Sequence, residues 1–161
     1  MSAESLDIVG REIFSGPYGR YSANVPWSET APPAIKPHTD NIIEIVVRAW
    51  NDIDALQVKY GPNWGALYGN SRGGAQNVMT LKVDEHIINV DVSYGHKIGR
   101  LGFDTNKGKY GPFGMAKNAK FSEHVNHTGY ALSSMGVTHY GGAPPSGIEG
   151  IFFGFRSLLL A

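Results

Sequence analysis

Along most of the chain, apolar and polar residues alternate over short runs, and no window carries a sustained 3.6-residue recurrence beside helix-capping residues. Asn41-Ile42-Ile43-Glu44-Ile45-Val46-Val47-Arg48-Ala49-Trp50 and Ile53-Asp54-Ala55-Leu56-Gln57-Val58-Lys59-Tyr60 are β-branched and roughly alternating, and Asn51-Asp52 between them is a hairpin signal. The same pattern predicts strands at Ile13–Tyr21, Val78–Val83, Ile87–Tyr94, Ile98–Thr105, Lys109–Gly114, Ala131–Gly136 and Gly147–Phe153. Pro26, Pro32, Pro33 and Pro37 space the stretch from Asn24 to Asp40 too closely for regular structure, so it reads as a long loop. Residues 1–12 have little pattern and read as an N-terminal extension to a body spanning 13–161. Short strands separated by turn residues mean an all-β sandwich, barrel or prism, with almost no helix.

One short turn occurs three times, as Gly16-Pro17-Tyr18-Gly19, Gly61-Pro62-Asn63-Trp64-Gly65 and Gly111-Pro112-Phe113-Gly114, with successive copies starting 45 and then 50 residues apart. Proline fixes φ and withholds a donor while glycine permits φ > 0, so each copy marks a sharp exit from regular structure. Val90-x-Val92-x-Tyr94-Gly95 also echoes Leu56-x-Val58-x-Tyr60-Gly61. A near-constant period suggests three similar units and favours the prism. Tyr18, Trp64 and Phe113 are then expected to cap its core or rim, and a repeated fold leaves room for repeated binding contacts near Trp64 or Phe113.

Composition narrows the function. The 161 residues suit one domain with a real core. Charged residues are 17% and balance to zero, so no basic stripe invites nucleic acid. Without cysteine there is no disulfide, thiolate metal site or cysteine nucleophile. The opening residues lack the basic and apolar regions of a signal peptide, leaving the compartment open between cytoplasm and a secretory route. No apolar run approaches the ~18 residues of a membrane helix, and Arg156 interrupts the apolar tail Ile151–Phe155, so a soluble protein is expected. That tail and Leu158-Leu159-Leu160 suggest apolar area in need of a cover, hence a homodimer.

The stretch Leu101-Gly102-Phe103-Asp104-Thr105-Asn106-Lys107-Gly108-Lys109-Tyr110-Gly111-Pro112-Phe113-Gly114 resembles the "L-x-F-x-T-N-x-G-x-Y-G-P-F/Y-G" stretch of the jacalin-related lectins. Phe14–Gly19, Ile53–Gly61 and Val83–Val90 resemble further segments of that family in order and spacing, so the likeness covers roughly residues 13 to 155. It is strongest toward the animal, zymogen-granule-type branch. The resemblance implies a β-prism of three four-stranded Greek-key sheets around a pseudo-threefold axis, binding carbohydrate without catalysis or cofactor.

The family's sugar site uses three loops at one end of the prism, with an aspartate in a Gly-x-x-x-Asp loop between the last two strands. Two placements compete. In one, Gly129-Tyr130-Ala131-Leu132-Ser133 is that loop and serine replaces the acid. In the other, preferred here, Leu132–Gly136 is the penultimate strand, Thr138–Gly147 the loop, and Glu149 the acid. The latter fits the family's spacing after Phe121, and Ile148-Glu149-Gly150-Ile151 reads like its "I-D-A-I-G". Two departures follow. The last loop is long and carries Pro144-Pro145, and the region of the glycine-rich first loop, Arg20-Tyr21-Ser22-Ala23-Asn24, has no glycine pair.

A pyranose offers hydroxyls that donate and accept, and an apolar face of C–H groups. Glu149 could accept, backbone at Gly141, Gly142, Gly147 and Ile148 could donate, and Tyr140 or Tyr94 could cover the face; His139, Tyr21 and the second-loop pair His96-Lys97 complete the candidates. The plainer reading makes Glu149 a solvated acid and Tyr140 a packing residue.

Other motifs read as structural. His124 and His127 lie in an irregular stretch without a third ligand, so no metal is expected. Asn126-His127-Thr128 is a glycosylation sequon, and Arg72-Gly73-Gly74 reads as a β-turn lacking the helix and lysine of a phosphate cradle. The pairs Asp84-Glu85 and Asp52/Asp54 do not face each other across a cleft as glycosidase carboxylates must. The leading expectation is a glycan-binding lectin, with mannose- or glucose-type saccharides among the candidates. The alternative is a structural or assembly module of the same fold.

Overall fold

The computed structural model describes residues 12–19, 41–138 and 147–158. They form twelve strands: β1 (Glu12–Gly19), β2 (Ile42–Ala49), β3 (Ile53–Tyr60), β4 (Asn63–Trp64), β5 (Tyr68–Gly69), β6 (Ala75–Thr80), β7 (Ile87–Tyr94), β8 (Ile98–Thr105), β9 (Lys109–Phe113), β10 (Phe121–Val125), β11 (Tyr130–Thr138) and β12 (Gly150–Ser157). Among the described residues no helix is long and apolar enough to cross a membrane.

The strands form three antiparallel sheets, ordered β1-β12-β11, β10-β7-β8-β9 and β4-β3-β2-β6, with β5 also on β3. In the second sheet β7, β8 and β9 follow one another and β10 returns beside β7, which is a Greek key. The third repeats that path, with β6 returning to β2. Its edge is broken, because β4 pairs with Lys59–Tyr60 and β5 with Ala55–Leu56, so it is four strands wide despite five segments. The first sheet has three strands among the described residues; the expected long loop 24–40 lies outside them.

The repeat is legible in the register. A bulge interrupts the pairing at Ile42/Glu44 in β2, Ile87/Asn89 in β7 and Leu132/Ser134 in β11, at steps of 45 residues. The extra residue shifts the inward set by one, which is why Ile42 and Ile45, Ile87 and Val90, and Leu132 and Met135 are all buried three apart. Inward residues from the three sheets, including Ile45, Leu56, Val90, Leu101, Phe103, Phe153 and Phe155, share one core.

Two expectations need correction. The three Gly-Pro turns are not one repeated element. Gly16-Pro17 and Gly111-Pro112 lie within the edge strands β1 and β9, whereas Gly61-Pro62 turns the chain from β3 into β4. The true second copy is Tyr68-Gly69. Tyr18 faces Ile151, Tyr68 faces Leu56 and Phe113 faces Leu101, and all three rings pack against the core. Trp64, expected as a cap, is 45% exposed and lies beside the Lys59 ammonium, 5.6 Å from the ring centre. The glycine after each true cap has φ of +109° (Gly19), +86° (Gly69) and +89° (Gly114). A Cβ there would stand 2.2–2.3 Å from the backbone oxygen of Glu149, Asp54 and Gly99 respectively, so only glycine allows the edge strand to approach so closely.

The second correction concerns the apolar tail. Ile151, Phe153 and Phe155 in β12 are fully buried in the core, so this part of the tail is not an exposed patch needing a partner. Phe155 is further covered by the edge of the His127 ring.

Candidate functional site

The glycines above mark one end of the prism and set which residues correspond there. Glu149, Asp54 and Gly99 are equivalent, and each follows a fully buried isoleucine: Ile148, Ile53 and Ile98. The Ile98 amide donates to the Ile148 carbonyl at 2.8 Å, and the Ile148 amide to the Ile53 carbonyl at 3.3 Å, so the three sheets are tied together under this end. Ile53 and Ile98 are 45 residues apart but Ile98 and Ile148 are 50, so the last loop is five residues longer than its counterparts.

Glu149 stands immediately before β12, and Ser133 lies within β11. The Ser133 hydroxyl donates to Glu12 Oε2 at 2.8 Å and reaches the Gly154 carbonyl at 3.1 Å, while Ser134 reaches the same Glu12 oxygen at 3.1 Å. Ser133 is thus engaged with a buried carboxylate on the first sheet. Glu149 is 6% exposed, not the solvated acid of the plainer reading. Gly147, with φ +115°, sits against the Ile53 carbonyl and the Lys97 side chain.

Tyr94 is committed to packing. Its ring stacks on Phe121 at 5.5 Å and meets Tyr18 at 5.9 Å, so as a sugar platform it has rings on two sides already. His96 and Lys97 form the β7–β8 turn and, with Asp52, Lys117 and Lys120, line a cleft of about 560 Å³. This is the loop cluster of the second sheet, where Gly99 stands at the acid position. His139, Tyr140, Gly141, Gly142 and Tyr21 fall outside the described residues.

The loop cluster of the third sheet escaped the sequence reading. Its acid, Asp54, lies against a glycine pair: a Cβ on Gly73 would be 3.0 Å from Asp54 Cγ, and one on Gly74 would be 2.5 Å from Oδ2. Arg48 pins this loop, donating from Nε to Gly73 O at 2.8 Å and from Nη2 to Gly74 O at 3.0 Å. Asn70 closes it from within, accepting the Arg72 amide at Oδ1 and the Gly73 amide at its carbonyl. Burial, and then the Asp52 charge, push the Asp54 carboxyl above the usual aspartate range, while Lys97 and Arg48 pull it back. Trp50, in the adjoining β2–β3 turn, is 67% exposed. The sequence signal for it is the Gly73-Gly74 pair after the Tyr68-Gly69 step, which the Gly-Pro repeat does not include.

The remaining motifs resolve as structure. Glu85 accepts from Thr105 Oγ1 at 2.6 Å, the Lys82 amide at 2.9 Å and Tyr110 Oη at 3.0 Å. These bonds, that from the Lys82 amide foremost, hold its carboxyl below the usual range. His124 pairs with Asp91, whereas His127 bonds Ser15 Oγ at 2.8 Å, so the two imidazoles do not converge.

Comparison with known proteins identifies the family and the fold. Jacalin-related lectin 3 of Arabidopsis thaliana is 26% identical over 130 residues, covering 73% of this chain and 20% of the relative. Zymogen granule membrane protein 16 of Mus musculus is 34% identical over 80 residues, covering 50% of this chain and 47% of the relative. The chain spans less than half the length of these curated relatives. Among solved structures, a mannose-binding jacalin-related lectin from Ananas comosus superposes with a TM-score of 0.74 over 91% of this chain and 98% of that one, at 18% identity, a likeness of fold. The family model described as Jacalin-like lectin domain matches residues 15–137. By that match over most of its length, the chain belongs to the jacalin-like lectin domain family.

Proposed function

We propose that this chain is a lectin that binds glycans non-covalently, without catalysis, at the prism end carrying Gly19, Gly69 and Gly114. The observation that supports the reading is Glu149 itself, a carboxylate immediately before β12 and two residues after Gly147, where the resemblance implies the acid of the last loop. A carboxylate there accepts from sugar hydroxyls, and the Gly147 backbone, against which the Lys97 side chain lies, offers a donor beside it. The Ananas comosus lectin is described as mannose-binding and a relative from Parkia pendula as mannose/glucose-specific, so saccharides of that type head the candidates. At 6% exposure, Glu149 meets a ligand by an edge only, and this burial, with the missing glycine pair after Gly19 and the proline-bearing last loop, favours a structural module as the second reading.

A shallow single site of this kind binds at about millimolar, roughly 4 kcal/mol, and gains from multivalency. A homodimer across β6, an edge strand among the described residues where Val78 is 52% exposed, is part of the proposal. The test is titration of a glycan-array hit against two variants. Glu149→Gln loses a charged acceptor worth roughly 1.5–3 kcal/mol in hydrogen bonds and takes a millimolar ligand out of range. Ser133→Ala leaves binding intact but lowers stability, because it removes a bond to buried Glu12. Sensitivity at Ser133 with indifference at Glu149 would reverse the assignment.

A further inference from the structure

We infer that the outer face of the second sheet, on the flank of the prism, binds a compact zwitterion, a free α-amino acid being the simplest. The inference does not depend on the lectin reading. Register sets what faces outward there, because residues paired across antiparallel strands share a face. One row across the sheet is Ser122, Ser93 and Arg100, and the next is His124, Asp91 and Gly102. The third runs from Asn89 through Asp104 to Lys109. Side chains thus stand around Gly102, which contributes none, and a cleft of about 310 Å³ opens between them and Pro112. The fold does not ask for glycine here. Gly102 has no positive φ, and a Cβ on it would meet Pro112 Cα at 3.7 Å and the Asp91 and Pro112 Cβ atoms at 3.8 Å, which is ordinary contact. Glycine inside a strand weakens it and often marks a place where a ligand comes close.

Opposite charges face this cleft without meeting. Asn89 Nδ2 donates to Asp91 Oδ1 at 3.0 Å and to Asp104 Oδ2 at 2.9 Å, so one amide holds two carboxylates side by side. Asn126 fixes Asn89 in turn, donating to its Oδ1 at 2.9 Å, and His124 bonds Asp91 Oδ1. Asp91 Oδ2 accepts no hydrogen bond among the described residues, and Asp104 Oδ1 has Lys109 Nζ at 3.8 Å. Two residues from Gly102 in the other direction, the exposed Arg100 guanidinium donates to the Met115 carbonyl at 3.3 Å and forms no ion pair among the described residues. An ammonium group brings three donors, of which the paired carboxylates accept two, and a guanidinium presents a fork to a carboxylate. Arg100 and Asp104 each lie roughly 7 Å along the strand from Gly102, a reach that the arginine stem and an amino acid's two charged ends span. Three carboxylates, of Asp91, Asp104 and Glu123, line the cleft against Arg100, Lys109 and the His124 imidazole, so it favours a ligand without net charge. A simple anion would face the carboxylates, and a simple amine would leave Arg100 unused.

The test is a ¹H–¹⁵N titration of the full chain with free serine, glutamate, arginine and phenylalanine, each to roughly 20 mM, enough to load a millimolar site. The expected result, with at least one of them, is a saturating shift of the backbone amides of residues 100–104 and of the Asn89 side-chain amide. For that amino acid, the N-acetyl form, which has no ammonium, and the carboxamide, which has no carboxylate, each bind at least tenfold more weakly. Asp91→Asn and Arg100→Gln each weaken binding by a similar factor. Gly102→Val fills the cleft and abolishes the shifts in a chain that still melts cooperatively, since a β-branched residue suits a strand. Absence of a saturating shift at residues 100–104 with all four amino acids overturns the proposal. So do shifts that survive Gly102→Val, or equal binding by either blocked form. If Gly102→Val does not fold, Asp91→Asn and the blocked forms decide, and undiminished binding in any of them overturns the site.

Discussion

Gly69→Ala tests the corrected repeat most directly. Gly69 has φ +86°, and a Cβ there would lie 2.3 Å from the Asp54 carbonyl oxygen and 3.1 Å from Ala55 Cα. The left-handed conformation costs a residue with a side chain about 1–2 kcal/mol. The clash is with backbone of the paired strand, which cannot rotate aside, so β5 must part from β3 at about 1–3 kcal/mol of overpacking. The sum, about 2–5 kcal/mol, lowers Tm by about 5–15 °C in a domain of this size. Two controls separate the parts. Gly129 has φ +81° with nothing within 4 Å of a Cβ, so Gly129→Ala carries the conformational cost alone. Gly108 has neither positive φ nor a neighbour, so Gly108→Ala changes stability by no more than about 0.5 kcal/mol. Thermal melts of the three variants suffice. If Gly69→Ala melts no lower than Gly129→Ala, the close approach of β5 and β3 is not a constraint and the assigned equivalence of Gly69 with Gly19 and Gly114 fails.

The pH dependence of stability has two opposed contributors. Burial raises the Asp54 pKa on folding, so its share of stability falls as pH climbs through and beyond the ordinary aspartate range. Asp54→Asn therefore raises Tm at neutral pH and leaves it unchanged well below that range; equal gains at both would refute the assignment. Hydrogen bonds lower the Glu85 pKa, so its contribution is full above the ordinary glutamate range and is lost as pH falls through the folded value. Glu85→Gln should lower Tm at pH 7 and converge with the parent in acid, and melts across pH that stay parallel would contradict this. Glycan binding should survive EDTA, because no group of three metal-ligating side chains is present among the described residues; abolition by the chelator would mean that the sugar is held elsewhere.

The sequence by itself determined the class of fold and its threefold plan. Alternation of period two writes the strands Ile42–Ala49, Ile53–Tyr60, Ile87–Tyr94 and Ile98–Thr105 locally, because one face of each must be apolar wherever the strand is placed. It also marked the end of the chain where Glu149 opens the last strand. Three things required the tertiary structure. Which turn is the second copy of the repeat was undecidable from Gly-Pro, since Gly61-Pro62 and Gly111-Pro112 read alike in sequence, yet a strand continues through the second and not the first. Ile151, Phe153 and Phe155 of the apolar tail are core, because their burial depends on β1 flanking β12, a contact between residues more than a hundred positions apart. Finally, Asp54 and Gly73-Gly74 are separated along the chain by the full excursion through β4 and β5. Only closure of that sheet brings the acid against the glycines, and no local pattern encodes a contact fixed by packing at a distance.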